Sequence, residues 1–495
     1  MPSKRVVEMI REELSGVALG DKRLDERAVL VASAIARRPA ASLPEAMRGD
    51  AALEATYRLL GNEQVQPAGL LAPHQRRTVE RGKRAMASGL PLIAAHDTTE
   101  ATFGGAYRRQ GLGLLPNGTQ GFFGHISLLV AREGEIRDPL GVLGVRTYVR
   151  KTRKGKRGGH VIAREKDSEG QRWLAGMQAA DELLGPGAIV HVADREADAF
   201  WLMAELSKCG ARFVIRNKHD RRTIDEEGEV QLLRDEARSE RTIRLTRSVQ
   251  IAARHPGEKH KTSRRGAAAL KGASYVRTPA AKQTHPARRE RLAELHVAAG
   301  HYALKRPKTE STELPATLSV NVVRVFEPKP PVDQEPVEWF LLTNEPIEDD
   351  EQIAAVIDAY RTRWLIEEFF KALKTGCNYE KSQLETLDGL VKLLCLFCPI
   401  AWRMLRMRTL SRVRAETPAT EVLTQAQIFL LRQEYPALKK NLTAQDALWA
   451  VAALGGHIKN NGPPGWLVIG RGFHELLGRE VGFFHALRWR KRDQS

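Results

Sequence analysis

Apolar residues recur at helical spacing in RAVLVASAIA (27–36) and AALEATYRLL (51–60), so residues 1–75 read as helices. The pattern then changes. PLIAAH (91–96) is a short apolar run that leads into Asp97-Thr98-Thr99, a buried strand ending in polar residues. GHISLLVA (124–131) and LGVLGVRTYV (140–149) have the same character. EGQRWLAGMQAADELLGPG (169–187) predicts a helix stopped by Gly-Pro-Gly, and AIVHVAD (188–194) a strand that ends on Asp194. A helix over READAFWLMAELSK (195–208) and a strand over RFVIRNK (212–218) follow. Strands alternating with helices predict an α/β sheet covered on its faces.

From about 220 to 335 the pattern becomes alternating, in TIRLTRSVQIAA, AELHVAAGHYAL and ATLSVNVVRVF, which predicts a β-rich insertion. Its middle, 254–291, is dominated by Lys, Arg, His and small residues and reads as a mobile basic loop. VEWFLLTNEP (337–346) predicts a return strand, a long helix spans 349–375, and the rest is mostly helical, broken at NNGPPGW (460–466). The chain thus divides into a helical segment 1–75, an α/β segment 76–375 with the insertion 220–335, and a helical segment 376–495.

Composition adds a partner class. The 495 residues carry a formal charge of +18, which favours polyanions and says nothing about fold. Four cysteines are too few for a disulfide framework; Cys395 and Cys398 lie in the apolar run LLCLFC and read as small core residues of a helix. The amino terminus lacks the apolar core of a signal peptide and there is no long apolar span, so a reducing cytoplasm is the expected location.

The chemistry concentrates in DAYRTRWLIEEFFKALKTG (358–376). At 100° per residue, Tyr360, Arg363, Glu367, Lys371 and Lys374 share a stripe about 80° wide, and Leu365, Ile366, Phe369, Phe370 and Leu373 face the other way. Glu368 falls outside the stripe. One carboxylate among cations suits a metal beside a phosphate backbone; a solvated face with a Glu367–Lys371 ion pair explains the same spacing. Asp97 and Asp194 each close an apolar strand, where α/β sheets place ligand groups, although either alone is as readily a cap or turn residue. Two strand-end aspartates and one helix-face glutamate form a plausible cage for Mg²⁺, with Mn²⁺ as a substitute.

These residues resemble the bacterial DDE cut-and-paste transposases of insertion sequences. The spacing of Tyr360, Arg363, Glu367 and Lys374 is similar to that of the Y-(2)-R-(3)-E-(6)-K subgroup, known from the kanamycin-resistance composite transposon. HDTTEATF around Asp97 and VADREADAF around Asp194 look like the first and second acidic motifs, and ALGDKR (18–23), TYRLL (56–60), RFVIRNKH (212–219) and WFLLTNEP (339–346) extend the likeness. The resemblance implies an RNase H-like catalytic core with a β-rich insertion, flanked by helical amino- and carboxy-terminal domains.

It also implies that Asp97, Asp194 and Glu367 bind two Mg²⁺ ions, that the ends of the element are cut through a DNA hairpin, and that the freed 3′ ends join target DNA. Trp339 corresponds to a tryptophan that stacks on a flipped base. Tyr360, Arg363 and Lys374 would hold the neighbouring phosphate, with Lys371 on the same stripe. Arg216 and Lys218 match basic DNA-contacting positions, Lys22, Arg23 and Arg27 would read the transposon end, and Arg195 and Glu196 would support Asp194. Double-stranded DNA is the implied partner, and a homodimer formed by the carboxy-terminal helices the implied assembly. His96 departs from the pattern, where an acid is common, and is expected to raise local positive charge. LVIGRGFHELLG near the carboxy terminus also drifts. The competing readings are a catalytically inactive DNA-binding regulator or domesticated derivative, and a plain RNase H-fold nuclease that cuts without joining.

Overall fold

The computed structural model describes residues 12–493 apart from 106, 151, 155–159, 163–165, 241, 252–288, 333, 335, 459 and 461. The basic stretch 254–291 therefore lies almost wholly outside the described residues. Two compact units emerge, residues 1–193 with 209–211 and 361–495, and residues 194–208 with 212–360.

The first unit opens with helices α1 (Lys22–Arg37), α2 (Leu43–Met47), α3 (Asp50–Gly61) and α4 (Pro67–Ala87). Asp21 caps α1 by accepting from the Arg23 amide at 2.7 Å, and Ser42 caps α2. The sheet follows: β1 (Leu92–Thr102), β2 (Gly113–Leu114), β3 (Gln120–Glu133), β4 (Ile136–Tyr148), the hairpin β5 (Thr152–Lys154) and β6 (His160–Ile162) with its own pairing, helix α5 (Lys166–Leu184) and β7 (Ile189–Ala193). β1 runs parallel to β7, in the register Ala95 to Val192, and antiparallel to β3 on its other side; β4 pairs with β3. Residues 121–131 of β3 are buried without alternation, as expected of a strand covered on both faces. Leu92, Ala94, Leu129, Leu140 and Leu143 of the sheet pack with Ala180 and Leu184 of α5. On β4, Gly141 has φ 150°, and a Cβ there would stand 2.0 Å from Thr78 Oγ1 of α4, so only glycine permits this approach.

The second unit contains a short 3₁₀ turn (Arg195–Ala197), α6 (Phe200–Lys208), β8 (Arg212–Arg216), β9 (Arg222–Ile224), β10 (Val230–Leu232), α7 (Leu233–Ser239), β11 (Leu245–Ile251), β12 (Arg291–Lys305), β13 (Thr317–Phe326), β14 (Glu338–Thr343) and α8 (Asp350–Thr362), whose last two residues belong to the first unit. Its strands are antiparallel, in the order β10, β9, β12, β13, β14, β8, with β11 also on β12. The alternating stretches of the insertion are thus strands, joined by one short helix.

The first unit resumes with α9 (Trp364–Lys371), a π-helical turn (Ala372–Gly376), α10 (Leu387–Val413), α11 (Gln425–Glu434), α12 (Ala444–Leu454) and α13 (Trp466–Asp493). Thr424 and Thr443 start α11 and α12 with capping boxes. Cys395 and Cys398 are buried thiols inside α10, and burial pushes the Cys395 thiol up to about 12, consistent with core residues. Among the described residues no helix is long and apolar enough to cross a membrane.

Two expectations need correction. The strand of PLIAAH does not end at Asp97 but runs to Thr102, because Asp97 to Thr102 continue to pair with β3. The helix expected over 349–375 is not one regular helix: it is interrupted at Arg363 and closes on a π turn, where the Cys377 amide bonds the Ala372 carbonyl at 2.8 Å.

Candidate active site

Within the first unit, Asp97 points from the middle of β1 to the start of α9. Its Oδ2 accepts from Arg363 Nη1 at 3.1 Å, and Arg363 Nη2 donates to Glu367 Oε1 at 2.5 Å. One guanidinium therefore ties together two carboxylates that are far apart in sequence, with all three side chains largely buried. Lys374 Nζ donates to the carbonyl of Glu100, also on β1, and stands 3.2 Å from Glu380. The structure thus brings Asp97, Arg363, Glu367 and Lys374 together along the second half of β1.

The adjacent Glu368 faces elsewhere. Its Oε2 accepts from Arg408 of α10 and, at 3.0 Å, from Trp466 Nε1 of α13; its Oε1 accepts from Lys371 at 2.7 Å. Lys371 is turned toward this pair and over the Trp364 ring, not toward Glu367, so the five-residue stripe does not survive as one face.

The fit of a divalent cation rests on Asp97 and Glu367. They supply hard oxygen donors that converge on one positive group, the chemistry Mg²⁺ prefers. Among the described residues no three His, Cys, Asp or Glu side chains are gathered at metal-holding distances.

His96 does not add positive charge. It is fully buried, shares a 2.9 Å hydrogen bond between its Nε2 and Nδ1 of His191, and meets Ser127 Oγ at 2.9 Å on its Nδ1. Burial first, then His191 and His125, hold it well below the usual histidine range, so it is neutral near pH 7. His125 is held at about 3 by burial and by Arg172 and Arg146.

At the amino terminus, Lys22 and Arg23 are exposed on the first turn of α1, and Arg27 is half-buried one turn on.

In the second unit, Asp194 caps the 3₁₀ turn by accepting from the Glu196 amide at 2.8 Å; Arg195 and Glu196 are exposed. The guanidinium of Arg216 lies 5.5 Å over the Trp339 ring, and Trp339 meets Tyr360 edge-on at 5.7 Å. Tyr360 is only 5% exposed, so its place on the polar stripe of the helix reflects contact with Trp339 and not a solvated face. Lys218 is exposed, and its position is set by a residue the sequence did not single out. Asp198 is buried and accepts from the amides of Lys218 at 2.6 Å and His219 at 2.8 Å, and from Arg221 Nη2 at 2.6 Å. Its only signal is its place in the run DREAD, four residues after Asp194.

Comparison with known proteins gives two family matches. Residues 8–65 match the transposase DNA-binding family, and residues 177–400 match the transposase DDE domain. The first span contains Lys22, Arg23 and Arg27; the second contains Asp194 and Glu367 but not Asp97. Among solved structures, the chain is similar to a piggyBac transposase in a synaptic complex with hairpin DNA, at 10% identity over 88% of this chain and 80% of that one, with a TM-score of 0.31. The chain thus carries a segment that matches the transposase DNA-binding family, followed by one that matches the transposase DDE domain, and together these support a DNA transposase.

Proposed function

We propose that the protein is a cut-and-join transposase of the Y-(2)-R-(3)-E-(6)-K subgroup, with an RNase H-like core, that acts on the inverted terminal repeats of its own element. One observation carries the reading: Asp97 and Glu367 converge on a single cationic centre, Arg363, beside the middle of β1. Asp194 would supply the third carboxylate; it follows Val192 by two residues, as Asp97 follows its register partner Ala95. These three residues would hold Mg²⁺, or Mn²⁺ in its place, which when bound would supply Lewis-acid activation of the attacking oxygen and charge stabilisation of the leaving one.

The chain's own residues do the rest. Arg363 and Lys374 sit beside the carboxylates with donors for a phosphate, and Arg363 offers a planar fork. Water breaks the P–O3′ bond at the element's end. The freed 3′-hydroxyl then attacks a phosphate of the opposite strand and expels the 3′-oxygen of the flanking DNA, closing a hairpin; water breaks the hairpin's P–O3′ bond, and the restored 3′-hydroxyl attacks a target phosphate, releasing a target 3′-hydroxyl. Trp339, braced by Tyr360 and Arg216, stacks on the base displaced at the hairpin, a contact worth about 1–3 kcal/mol. Lys218 and Lys371 add phosphate contacts. Residues 1–75, with Lys22, Arg23 and Arg27, bind the ends; 76–375 form the core; and 376–495 pair two copies of the chain in a cytoplasmic, nucleoid-bound complex.

The test uses a duplex carrying the sequence that flanks the gene. Wild-type protein with Mg²⁺ gives a nicked end and then a hairpin on a denaturing gel. Asp97→Asn and Glu367→Gln bind the same duplex and cut it at least a hundredfold more slowly. Undiminished cutting by Glu367→Gln would sink the assignment.

A further inference from the structure

We propose that Trp466 of α13 is a positioning residue for Glu367, acting through Glu368, so that the carboxy-terminal helices seat the metal-binding face of α9 in addition to any part they take in pairing two copies. The inference rests on the reading of Glu367 as a metal ligand.

Glu368 is the hub. Its Oε1 accepts from Lys371 of the same helix at 2.7 Å, and its Oε2 accepts from Arg408 of α10 and, at 3.0 Å, from Trp466 Nε1. The Arg408 guanidinium also lies 4.5 Å over the Trp466 ring. Carboxylate, cation and indole therefore close on one another, with Trp466 only 6% exposed. Burial, then Arg412, lower Arg408 to about 10, so it is still cationic near pH 7. Packing of an indole ring alone would hold α13 against α9; the N–H bonded to a carboxylate makes the contact directional.

The same end of α13 reaches the π turn. A Cβ on Gly470 would stand 2.5 Å from the Gly376 carbonyl oxygen, and a Cβ on Gly376 would stand 2.8 Å from Met404 Cε and 3.9 Å from Trp466 Cε3. Gly376 closes the turn whose Lys374 donates to the Glu100 carbonyl. α13 thus meets the segment at Glu368, beside the ligand, and again just past the helix end. α9 has eight residues and no side-chain cap, so its partners set its rotation. Neighbouring side chains leave a helix about 100° apart, so fixing Glu368 fixes the direction of Glu367. A carboxylate stands about 6 Å from the helix axis, so a rotation of about 10° moves it about 1 Å. A displacement of about 1 Å is worth about a hundredfold in a reaction that depends on alignment. Glu367 shares its carboxylate with Arg363 and would have to turn from it to a metal; the Glu368 tie involves neither group and would persist.

The experiment compares wild type, Trp466→Phe, Glu368→Gln and the double variant on a duplex carrying the sequence that flanks the gene. Trp466→Phe keeps an aromatic ring and removes the N–H donor. Uptake of Mn²⁺ by the protein–duplex complex is read from the loss of the free-ion EPR signal, and cutting from its dependence on Mg²⁺. Trp466→Phe should weaken Mn²⁺ uptake, and raise the Mg²⁺ that half-saturates cutting, by about tenfold, as loss of a group behind a ligand does, while duplex binding stays within about twofold. The double variant should be no worse than Glu368→Gln, because Trp466 acts through Glu368. A Trp466→Phe protein that melts like wild type and keeps both metal dependences overturns the inference. So does a loss of duplex binding in step with cutting, or a pair of single losses that add. If Glu368→Gln fails to fold, Trp466→Phe decides alone. A wild type that takes up no Mn²⁺ refutes the metal reading of Glu367 and the inference with it; uptake abolished by Glu367→Gln but untouched by Trp466→Phe refutes the inference alone.

Discussion

Glu13 provides the sharpest energetic test, because one carboxylate anchors the amino-terminal segment to α4. It is 8% exposed, with His74 Nδ1 at 2.6 Å from its Oε2 and Arg81 Nη1 donating to its Oε1 at 2.6 Å. The partners are tied in turn to β4: the Val142 amide donates to His74 Nε2 at 3.0 Å, and Arg81 Nε donates to the Leu140 carbonyl at 2.6 Å. Burial by itself raises the carboxyl, but His74 and Arg81 outweigh it and hold Glu13 at about 2, against an ordinary 4.5. His74 is fully buried and lies below the usual histidine range, burial outweighing the pull of Glu13, so near pH 7 the balancing charge is Arg81.

The magnitude follows from linkage. At about 1.4 kcal/mol per tenfold change in proton affinity, a fall from 4.5 to about 2 is worth about 3 kcal/mol. The folded pKa is depressed, so this stability is fully present above pH 4.5 and is lost as pH falls through 2. Glu13→Gln keeps the shape and removes the charge. Urea unfolding should show the variant about 3 kcal/mol less stable than wild type at pH 7 and equally so at pH 6, about 2 kcal/mol less at pH 3.5, and nearly level at pH 2. A gap that is the same at pH 7 and pH 3, or that is under 1 kcal/mol at pH 7, would refute the reasoning.

Three further outcomes are expected. Glu368→Gln weakens the tie to Arg408 and Trp466 and should lower stability by about 3 kcal/mol, as breaking a buried pair does; a variant that melts like wild type would show that the tie carries no weight. Gly472→Ala puts a Cβ 1.7 Å from the Val451 carbonyl where α12 and α13 cross, and should cost about 3 kcal/mol or more in a thermal melt; a loss below 1 kcal/mol would mean that the helices separate freely. Asp198→Asn leaves Arg221 buried without its counter-charge, and should both destabilise the chain by about 3 kcal/mol and speed amide exchange at Lys218 and His219; unchanged exchange would remove Asp198 as the organiser of that loop.

Much of the architecture was legible because burial imposes period. The unbroken apolar run of β3 and the alternation of β12 and β13 announce, respectively, a strand covered on both faces and strands covered on one. The end of β1 was not legible, since HDTTEAT is polar, and its pairing is decided by β3, 19 to 29 residues on between Thr102↔Gly121 and Asp97↔Ile126. The angular count correctly set Glu367 apart from Glu368, because helix geometry is local. It misjudged Tyr360 and Lys371 because an angle says nothing of what lies opposite: Trp339 for one, and the Glu368 cluster with Arg408 and Trp466 for the other. His96 was misread for the same reason, since its neutrality comes first from burial under the fold and then from His191 and His125 on other strands.

The neighbouring glutamates of α9 explain how so short a helix is held in place. α9 has eight residues, too few to be stable alone. Glu368 fastens it to α10 and α13, Glu367 meets Arg363 and through it Asp97, and Ile366, Phe369 and Phe370 bury the face between. Arg363 keeps helical dihedrals, so its guanidinium reaches Glu367 one turn on along the same helix and also meets Asp97 of β1, while Lys374, in the π turn, donates to the Glu100 carbonyl of the same strand. What the spacing of Arg363, Glu367 and Lys374 encodes is therefore two basic groups either side of one carboxylate, both tied to the strand that carries Asp97.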